Sequence, residues 1–405
     1  MNKRPILSIV VPTHNRAKYA FFCISTILKL NDERVELIVS DTSTNTELYD
    51  RLSDDLNLII KHPLLKYYRP EMKLDMTGNH NFAVSKAKGE YICLIGDDDC
   101  ISIDAINAAE WANKNNIDII APKVMSNYVW PDFKSLVFNN SHSSRLYLPR
   151  KIGGIKILNS VEAINVFLRN AAQGTDNLPK IYHGIVKKSI IDKIHTITGN
   201  YFFGSSPDVS GAVALSLCSN SFLEVSFPLT IPGASGGSNT GRSALNQHKG
   251  ELKNEIQTNS FIDTGWSDLI PHFFSVETVW AHAAIETIIK INEKHLYNFN
   301  FEKLIALCQI KHPEFESEID QSILNIVRYK EINIIRFRIY VFVNKCLYYA
   351  SRAQYIVKRG LIPTAAGGRK FIGNINNIEE ASDAFLKYRE TKKWEWQSYI
   401  SNLWS

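Results

Sequence analysis

The chain opens with a short, nearly continuous apolar run, Ile6-Leu-Ser-Ile-Val-Val11, closed by Pro12. A strand with one face in water alternates apolar and polar side chains. A run rich in β-branched residues with almost no alternation belongs to a strand buried on both faces, and a parallel sheet covered by helices is the setting that buries both. The pattern returns in Val35-Glu-Leu-Ile-Val39, Tyr91-Ile-Cys-Leu-Ile95 and Ile117-Asp-Ile-Ile-Ala121, and a further strand is expected within 58–68. Between these runs apolar residues fall at helical spacing. Ala20, Phe21, Ile24, Ile27, Leu28 and Leu30 mark a helix over 17–30, Phe82, Ala83 and Ala87 share one side of a helix over 79–88, and 102–115 reads as a helix capped by Ser102 or Asp104. Strand, helix and strand in succession imply right-handed crossovers, so the first 125 residues read as an alternating α/β nucleotide-binding layer.

The middle of the chain is less regular. Residues 126–155 are aromatic and loop-rich, 161–168 reads as a helix, 181–186 as a strand, 208–219 as a helix opened by Pro207-Asp208, and 227–231 as the last strand. Pro232-Gly-Ala-Ser-Gly-Gly-Ser-Asn-Thr-Gly241 has four Gly and two Ser in ten residues and is expected to be a mobile loop or a linker. The remainder is expected to be mostly helical. At 405 residues the chain exceeds one small domain, and the boundaries expected are a catalytic domain over 1–240, a loop and helical connection over 241–300, and a basic amphipathic helical region over 301–405.

Composition excludes several classes. With 45% hydrophobic and 21% charged residues, the chain is neither disordered nor collagen-like. The six cysteines lie far apart, with no C-x-x-C pair and no His cluster at zinc spacing, so neither a disulfide framework nor a structural zinc site is expected. Met1 to Pro5 leads straight into the first strand without the apolar stretch of a signal peptide, and the sequence reads as a cytoplasmic, reduced protein.

Ligands of open parallel sheets collect at the carboxyl ends of the strands. Three polar signals fall there: Thr13-His14-Asn15 after the first strand, Asp41 after the second, and Asp97-Asp98-Asp99 after Tyr91–Ile95. Asp41 alone is equally a turn residue. Three consecutive carboxylates raise one another's pKa unless a cation intervenes, and hard oxygen donors suit Mg²⁺ or Mn²⁺; the competing reading is a solvated acidic turn.

Val10-Val-Pro-Thr-His-Asn-Arg16, Leu37-Ile-Val-Ser-Asp-Thr-Ser43, Asn81 and Gly89-Glu-Tyr-Ile-Cys-Leu-Ile-Gly-Asp-Asp-Asp99 together resemble the family 2 glycosyltransferases of GT-A fold. The resemblance implies an α/β, Rossmann-like, mostly parallel sheet flanked by helices, here with a C-terminal helical region. It assigns Pro12, Thr13, Asn15, Asp41 and Asn81 to the donor nucleotide, and Asp97, Asp98 and Asp99 to the D-x-D segment that holds Mn²⁺ or Mg²⁺ and the donor diphosphate. Many members carry the first Asp where this chain has Gly96, so the expected ligand is Asp98, with Asp97 near the ribose or diphosphate and Asp99 a second candidate. Inverting members place a basic carboxylate about a hundred residues further on. Asp208 fits that role, with Glu224 in reserve and Asp176 and Asp192 behind it. The loop after the last strand is expected to bring Arg242, and with it His248 and Lys249, toward the diphosphate, and Tyr182-His183-Gly184 to line the acceptor cleft or serve the strand structurally.

Between 322 and 360 eight basic residues face one acid, and Arg338, Lys345, Arg352 and Arg359 recur every seven positions among apolar and aromatic residues. This segment suits either an interfacial helix on an anionic membrane surface or a helix packed on the catalytic domain with its charges in water. No recognised nucleic-acid module accompanies it. The resulting expectation is an inverting, metal-dependent glycosyltransferase acting with a nucleotide-sugar donor on a glycan acceptor, free or lipid-linked, in bacterial surface polysaccharide synthesis. The alternatives are a catalytically silent nucleotide-fold module that binds a glycan or protein, and a nucleotidyltransferase, which would need a Gly-rich phosphate loop where Pro12-Thr13-His14-Asn15 stands.

Overall fold

The computed structural model describes residues 4–54, 59–255, 258, 260, 261, 265–361 and 368–404. Parts of the stretches anticipated at 1–5, 58–68, 241–300 and 301–405 thus lie outside the described residues.

Four strands, β1 (Leu7–Thr13), β2 (Val35–Asp41), β3 (Leu65–Tyr68) and β4 (Tyr91–Leu94), run parallel in the order β3-β2-β1-β4. The sheet continues through Ile185–Lys187, Ile119–Pro122, Ser221–Val225 and the edge strand Ile155–Asn159. Of these, Ile185–Lys187 and Ile155–Asn159 run antiparallel to their neighbours. The expected α/β sheet is therefore present, with every residue of β1 and β2 buried. Leu7, Ile9 and Val11 face one core, with the helices Ala17–Leu28 and Ile103–Lys114, while Val10 faces a second core, with Ile38, Ile92 and Leu94. Each such buried Val, Leu or Ile contributes roughly 1.5–3 kcal/mol of transfer free energy. The polar members of the two runs satisfy each other: Ser8 Oγ donates to Glu36 Oε1 at 2.6 Å, and the same oxygen accepts the Lys88 N–H.

Several boundaries differ from the sequence expectation. Of the expected 227–231 strand only Thr230–Ile231 forms, paired with Cys100–Ile101, and the longer strand before it is Ser221–Val225, where Glu224, neutralised by Lys123 at 2.9 Å, interrupts the apolar run. The 79–88 helix starts earlier, as Met76–Ser85, because Asp75 accepts the Gly78 N–H and caps it. Ser102 makes no side-chain cap for Ile103–Lys114, and Asp104 is drawn into a buried pair with Arg389 at 3.0 Å. The 181–186 strand shrinks to Ile185–Lys187 because His183 takes a left-handed conformation, φ 62°. The Gly/Ser segment is more ordered than a linker. Gly233–Ala234 pairs with Tyr128 and Val129, and Asn239–Ala244 is a helix capped by Ser238.

The chain beyond 275 is largely helical. Helices Val276–Asn292, Phe301–Lys311 and Glu316–Lys330 share a core with Ser160–Arg169 and Pro207–Cys218. The terminal segment returns to the first core: Lys370–Ile372 pairs with Arg145–Leu148, and Ile378, Phe385, Trp396 and Ile400 are buried there. Between these two parts stands Ile334–Gly360, a long helix with only Phe337 and Val341 buried. Among the described residues all six cysteines are free, and no helix is long and apolar enough to cross a membrane.

Candidate active site

Parallel register sets the site. Because Leu7 pairs with Val35 and Thr13 with Asp41, β1 and β2 end side by side, and the chain leaving β4 passes through Ile95 and Gly96 to present Asp97–Asp99 at the same edge. Thr13, Asp41 and all three consecutive aspartates are buried.

Asp97 accepts from Thr13 Oγ1 at 2.7 Å and from Arg16 Nε at 2.7 Å. Asp98 Oδ2 accepts from Ser235 Oγ at 2.5 Å and pairs with Arg16 Nη2 at 2.9 Å. Asp99 turns the other way: it accepts the N–H of Gly96 at 2.6 Å and of Gly233 at 2.7 Å, and lies 3.3 Å from His183 Nε2. Burial raises the pKa of Asp97, with Arg16 opposing it, and raises that of Asp99 well above the usual range, with Asp98 adding to the shift. Burial would lower the pKa of Arg16, but Asp97 and Asp98 outweigh it and raise the value. His183 is pushed down to about 3 by burial and so stays neutral, and its Nδ1 has no hydrogen-bond partner among the described residues.

Two glycines make this packing possible. A Cβ on Gly96 would lie 2.6 Å from the Tyr182 hydroxyl, and one on Gly233 would lie 1.9 Å from the Asp98 carbonyl oxygen. The glycine at 96, where the resembled family often has Asp, thus fits a local arrangement with no room for a side chain. The Asp98 carbonyl also accepts from Trp130 Nε1 at 3.1 Å.

At the ends of β1 and β2, Asp41 accepts from the Ser43 N–H at 2.8 Å and the Tyr67 hydroxyl at 2.5 Å. Pro12 is buried within β1. Asn15 follows β1 in a left-handed turn, φ 55°, and its Oδ1 accepts the Thr44 N–H at 2.9 Å. Asn81 is not brought to this edge. Its amide accepts the Tyr201 and Phe202 N–H groups and donates to the Phe202 carbonyl. Asn79, absent from the sequence expectation, stands there instead: its Nδ2 reaches the Thr13 and Ser40 carbonyls, each at 3.2 Å, and its Oδ1 accepts from Ser40 Oγ at 2.6 Å. Arg16, which closes the Val10–Arg16 motif, likewise lies outside the expected set and reaches both Asp97 and Asp98.

Asp208 lies in the first turn of Pro207–Cys218, partly exposed, and accepts from Ser206 Oγ. Burial raises the pKa of Tyr182, and Asp99, Asp98, Asp97 and Asp208 add to the shift in that order, so this phenol stands within electrostatic reach of both the triplet and Asp208. The other candidates are engaged elsewhere. Glu224 pairs with Lys123, Asp192 with Lys188 at 2.5 Å, Lys249 with Glu314 at 2.6 Å, and Asp176 is exposed on a loop. Arg242 pairs with Glu255 at 2.7 Å and lies over the Phe274 ring, on which His248 stacks.

Among the described residues no group of three or more His, Cys, Asp or Glu side chains is set to hold a metal ion. Magnesium and manganese need no such cage, since one or two carboxylates together with substrate phosphates suffice. Asp98 fits: no hydrogen bond among the described residues reaches its Oδ1, while Oδ2 is held by Ser235 and Arg16.

Residues 8–172 match the family model described as Glycosyl transferase family 2. Glycosyltransferase GlyG of Streptococcus pneumoniae serotype 4 is 30% identical over 104 residues, which are 25% of this chain and 33% of that protein. The putative colanic acid biosynthesis glycosyl transferase WcaA of Escherichia coli K12 is 33% identical over 100 residues, 24% of this chain and 34% of that protein. The chain thus matches about a third of the length of these curated relatives. A crystal structure of S. aureus TarS 1–349 in complex with UDP-GlcNAc aligns over 80% of this chain and 92% of that one, at 16% identity and a TM-score of 0.42.

Proposed function

From the match of residues 8–172 to the Glycosyl transferase family 2 model we propose that the chain transfers a sugar from a nucleotide-sugar donor to a glycan acceptor, with inversion at the anomeric carbon. The observation that carries this reading is the buried aspartate triplet beside Thr13 and Asp41, whose negative charge Arg16 only partly offsets. Asp41, Thr13, Asn15 and Pro12 line the base and ribose end, with Asn79 bracing the two strand ends beneath them. Asp97 and Asp98 lie toward the diphosphate. Asp98 would hold Mn²⁺ or Mg²⁺, with Asp97 adjacent. When bound, such an ion supplies the positive charge that stabilises the departing nucleoside diphosphate, a contribution of several kcal/mol.

Arg16 keeps two carboxylates close together that would otherwise repel, and Ser235 fixes the orientation of Asp98. Asp208 accepts the proton of the acceptor hydroxyl as that oxygen attacks the anomeric carbon from the face opposite the leaving group. Ser206 and the first helical turn hold the carboxylate in place for that transfer. We place the acceptor among bacterial surface polysaccharides, a setting supported by the name of one curated relative, a putative colanic acid biosynthesis glycosyl transferase, and by the basic C-terminal helix.

Calorimetric titration of common sugar nucleotides, with and without Mn²⁺ or Mg²⁺, tests the donor half of the reading. Metal-dependent binding is expected, whereas absence of both binding and donor hydrolysis with every donor would favour a silent binding module. For the base, Asp208→Asn should keep donor affinity and lose about 10²–10⁴-fold in transfer. Near-normal turnover of that variant would remove Asp208 from the role.

A further inference from the structure

Ile334–Gly360 spans 27 residues, about 40 Å of helix. Phe337 and Val341 anchor its first turns in the core shared by helices Val276–Asn292, Phe301–Lys311 and Glu316–Lys330, and no later residue of the helix is buried. On another face Ile335, Ile339, Phe342, Cys346, Tyr349 and Ala353 succeed one another at alternating steps of four and three, so they form one apolar ribbon that continues at Ile356. Ile335 and Phe342 are each 66% exposed and Ile356 is 59% exposed. A contiguous apolar surface of this length, rimmed by polar groups, marks an interaction site.

The rim identifies the partner. Arg338, Lys345 and Arg352 border one edge of the ribbon, Arg336 flanks the other edge near its start, and the helix contains no Asp or Glu. A second copy packed through the same ribbon would set basic edge against basic edge. Six charged residues within the helix exclude burial across a bilayer. An anionic lipid surface satisfies both features: apolar side chains enter the acyl boundary while the Lys and Arg heads reach the phosphates. Another exposed apolar element lies at the far end of the helix. Arg359 sits over the Phe138 ring at 5.8 Å, next to Leu136 and Val137, which are 68% and 81% exposed.

We infer that this ribbon docks the protein on an anionic lipid surface, with the helix lying in the interface rather than crossing it. This stands independently of the transfer chemistry, because none of its residues belongs to the site described above. The test is co-sedimentation of the full-length protein with vesicles of phosphatidylcholine alone and of phosphatidylcholine with phosphatidylglycerol. Binding should require the anionic lipid and fall as salt rises. Neutralising Arg338, Lys345 or Arg352 to Gln should weaken it about fivefold each. The double variant Ile339→Asn and Phe342→Ser should weaken it at least about tenfold. Because these side chains are solvent-exposed, far-UV circular dichroism and melting should not change. Equal binding to neutral and anionic vesicles, or binding that ignores both kinds of variant, would overturn the inference. So would a wild-type dimer in the ultracentrifuge that the double variant converts to monomer while lipid binding persists, since the ribbon would then belong to a second copy.

Discussion

Glu277 and the aspartate triplet are both buried acids, and the protein treats them in opposite ways. Glu277, at the start of Val276–Asn292, lies 2.5 Å from Lys311 Nζ through one oxygen and 2.9 Å from His312 Nε2 through the other. Burial pushes its pKa up, yet these partners bring it down to about 2. At the triplet burial prevails: Asp97 and Asp99 are pushed up despite Arg16, Thr13 and two backbone amides. A charge compensated by its own chain holds the fold together. Undercompensated charge at a strand edge is what the cation proposed above would balance, and in that reading a binding site differs from a structural ion pair.

The largest expected effect follows directly. Asp98→Asn should lower kcat/KM for transfer at least about 10³-fold while leaving the urea midpoint unchanged or higher, because it removes one of three mutually repelling charges. A variant that unfolds more easily yet keeps its turnover would break the contrast. Glu277→Gln should do the reverse and cost about 3 kcal/mol of stability with donor affinity retained. The same pair fixes a pH dependence. The folded value of about 2 lies below the ordinary 4.5, so the contribution of Glu277 is complete above pH 4.5 and is lost as pH falls toward 2. Urea midpoints of wild type and Glu277→Gln should therefore converge on acidification, and parallel curves across that window would show that Glu277 is not the group responsible.

The parallel layer was legible in the sequence because strands buried on both faces leave a pattern that few other structures produce, as Ile6–Val11 and Val35–Val39 do. The acidic edge was legible for a similar reason: three adjacent aspartates after a buried strand have few structural uses. What escaped was tertiary. Glu224 hid the Ser221–Val225 strand because its neutralising partner, Lys123, lies about a hundred residues away in the chain. Arg16 and Ser235 meet at Asp98 from distant segments, and no local pattern announces that meeting. Nor does composition reveal that the chain after the long helix returns to the first core, where Trp396 is buried beside Phe227.

Asn79 and Asn81 carry the same contrast to a finer scale, because they sit two residues apart on one helix and point to different tasks. The Asn81 amide makes three hydrogen bonds with the backbone of Tyr201 and Phe202, so its capacity is spent on holding the segment that leads to Asp208. Asn79 spans the last residues of β1 and β2, next to Thr13 and Asp41. Asn81→Ala should therefore cost about 1–2 kcal/mol of stability and leave the donor dissociation constant within about twofold, a change too small to signal a lost direct hydrogen bond. Asn79→Ala, which loosens the two strand ends against each other, should weaken donor binding more than Asn81→Ala does at a comparable stability cost. Urea unfolding and donor titration of the two variants side by side decide the matter. If Asn81→Ala weakened donor binding tenfold with stability intact, the nucleotide would extend to the Asn81 side of the helix, and the boundary drawn between self-satisfied and ligand-directed polar groups would have to move.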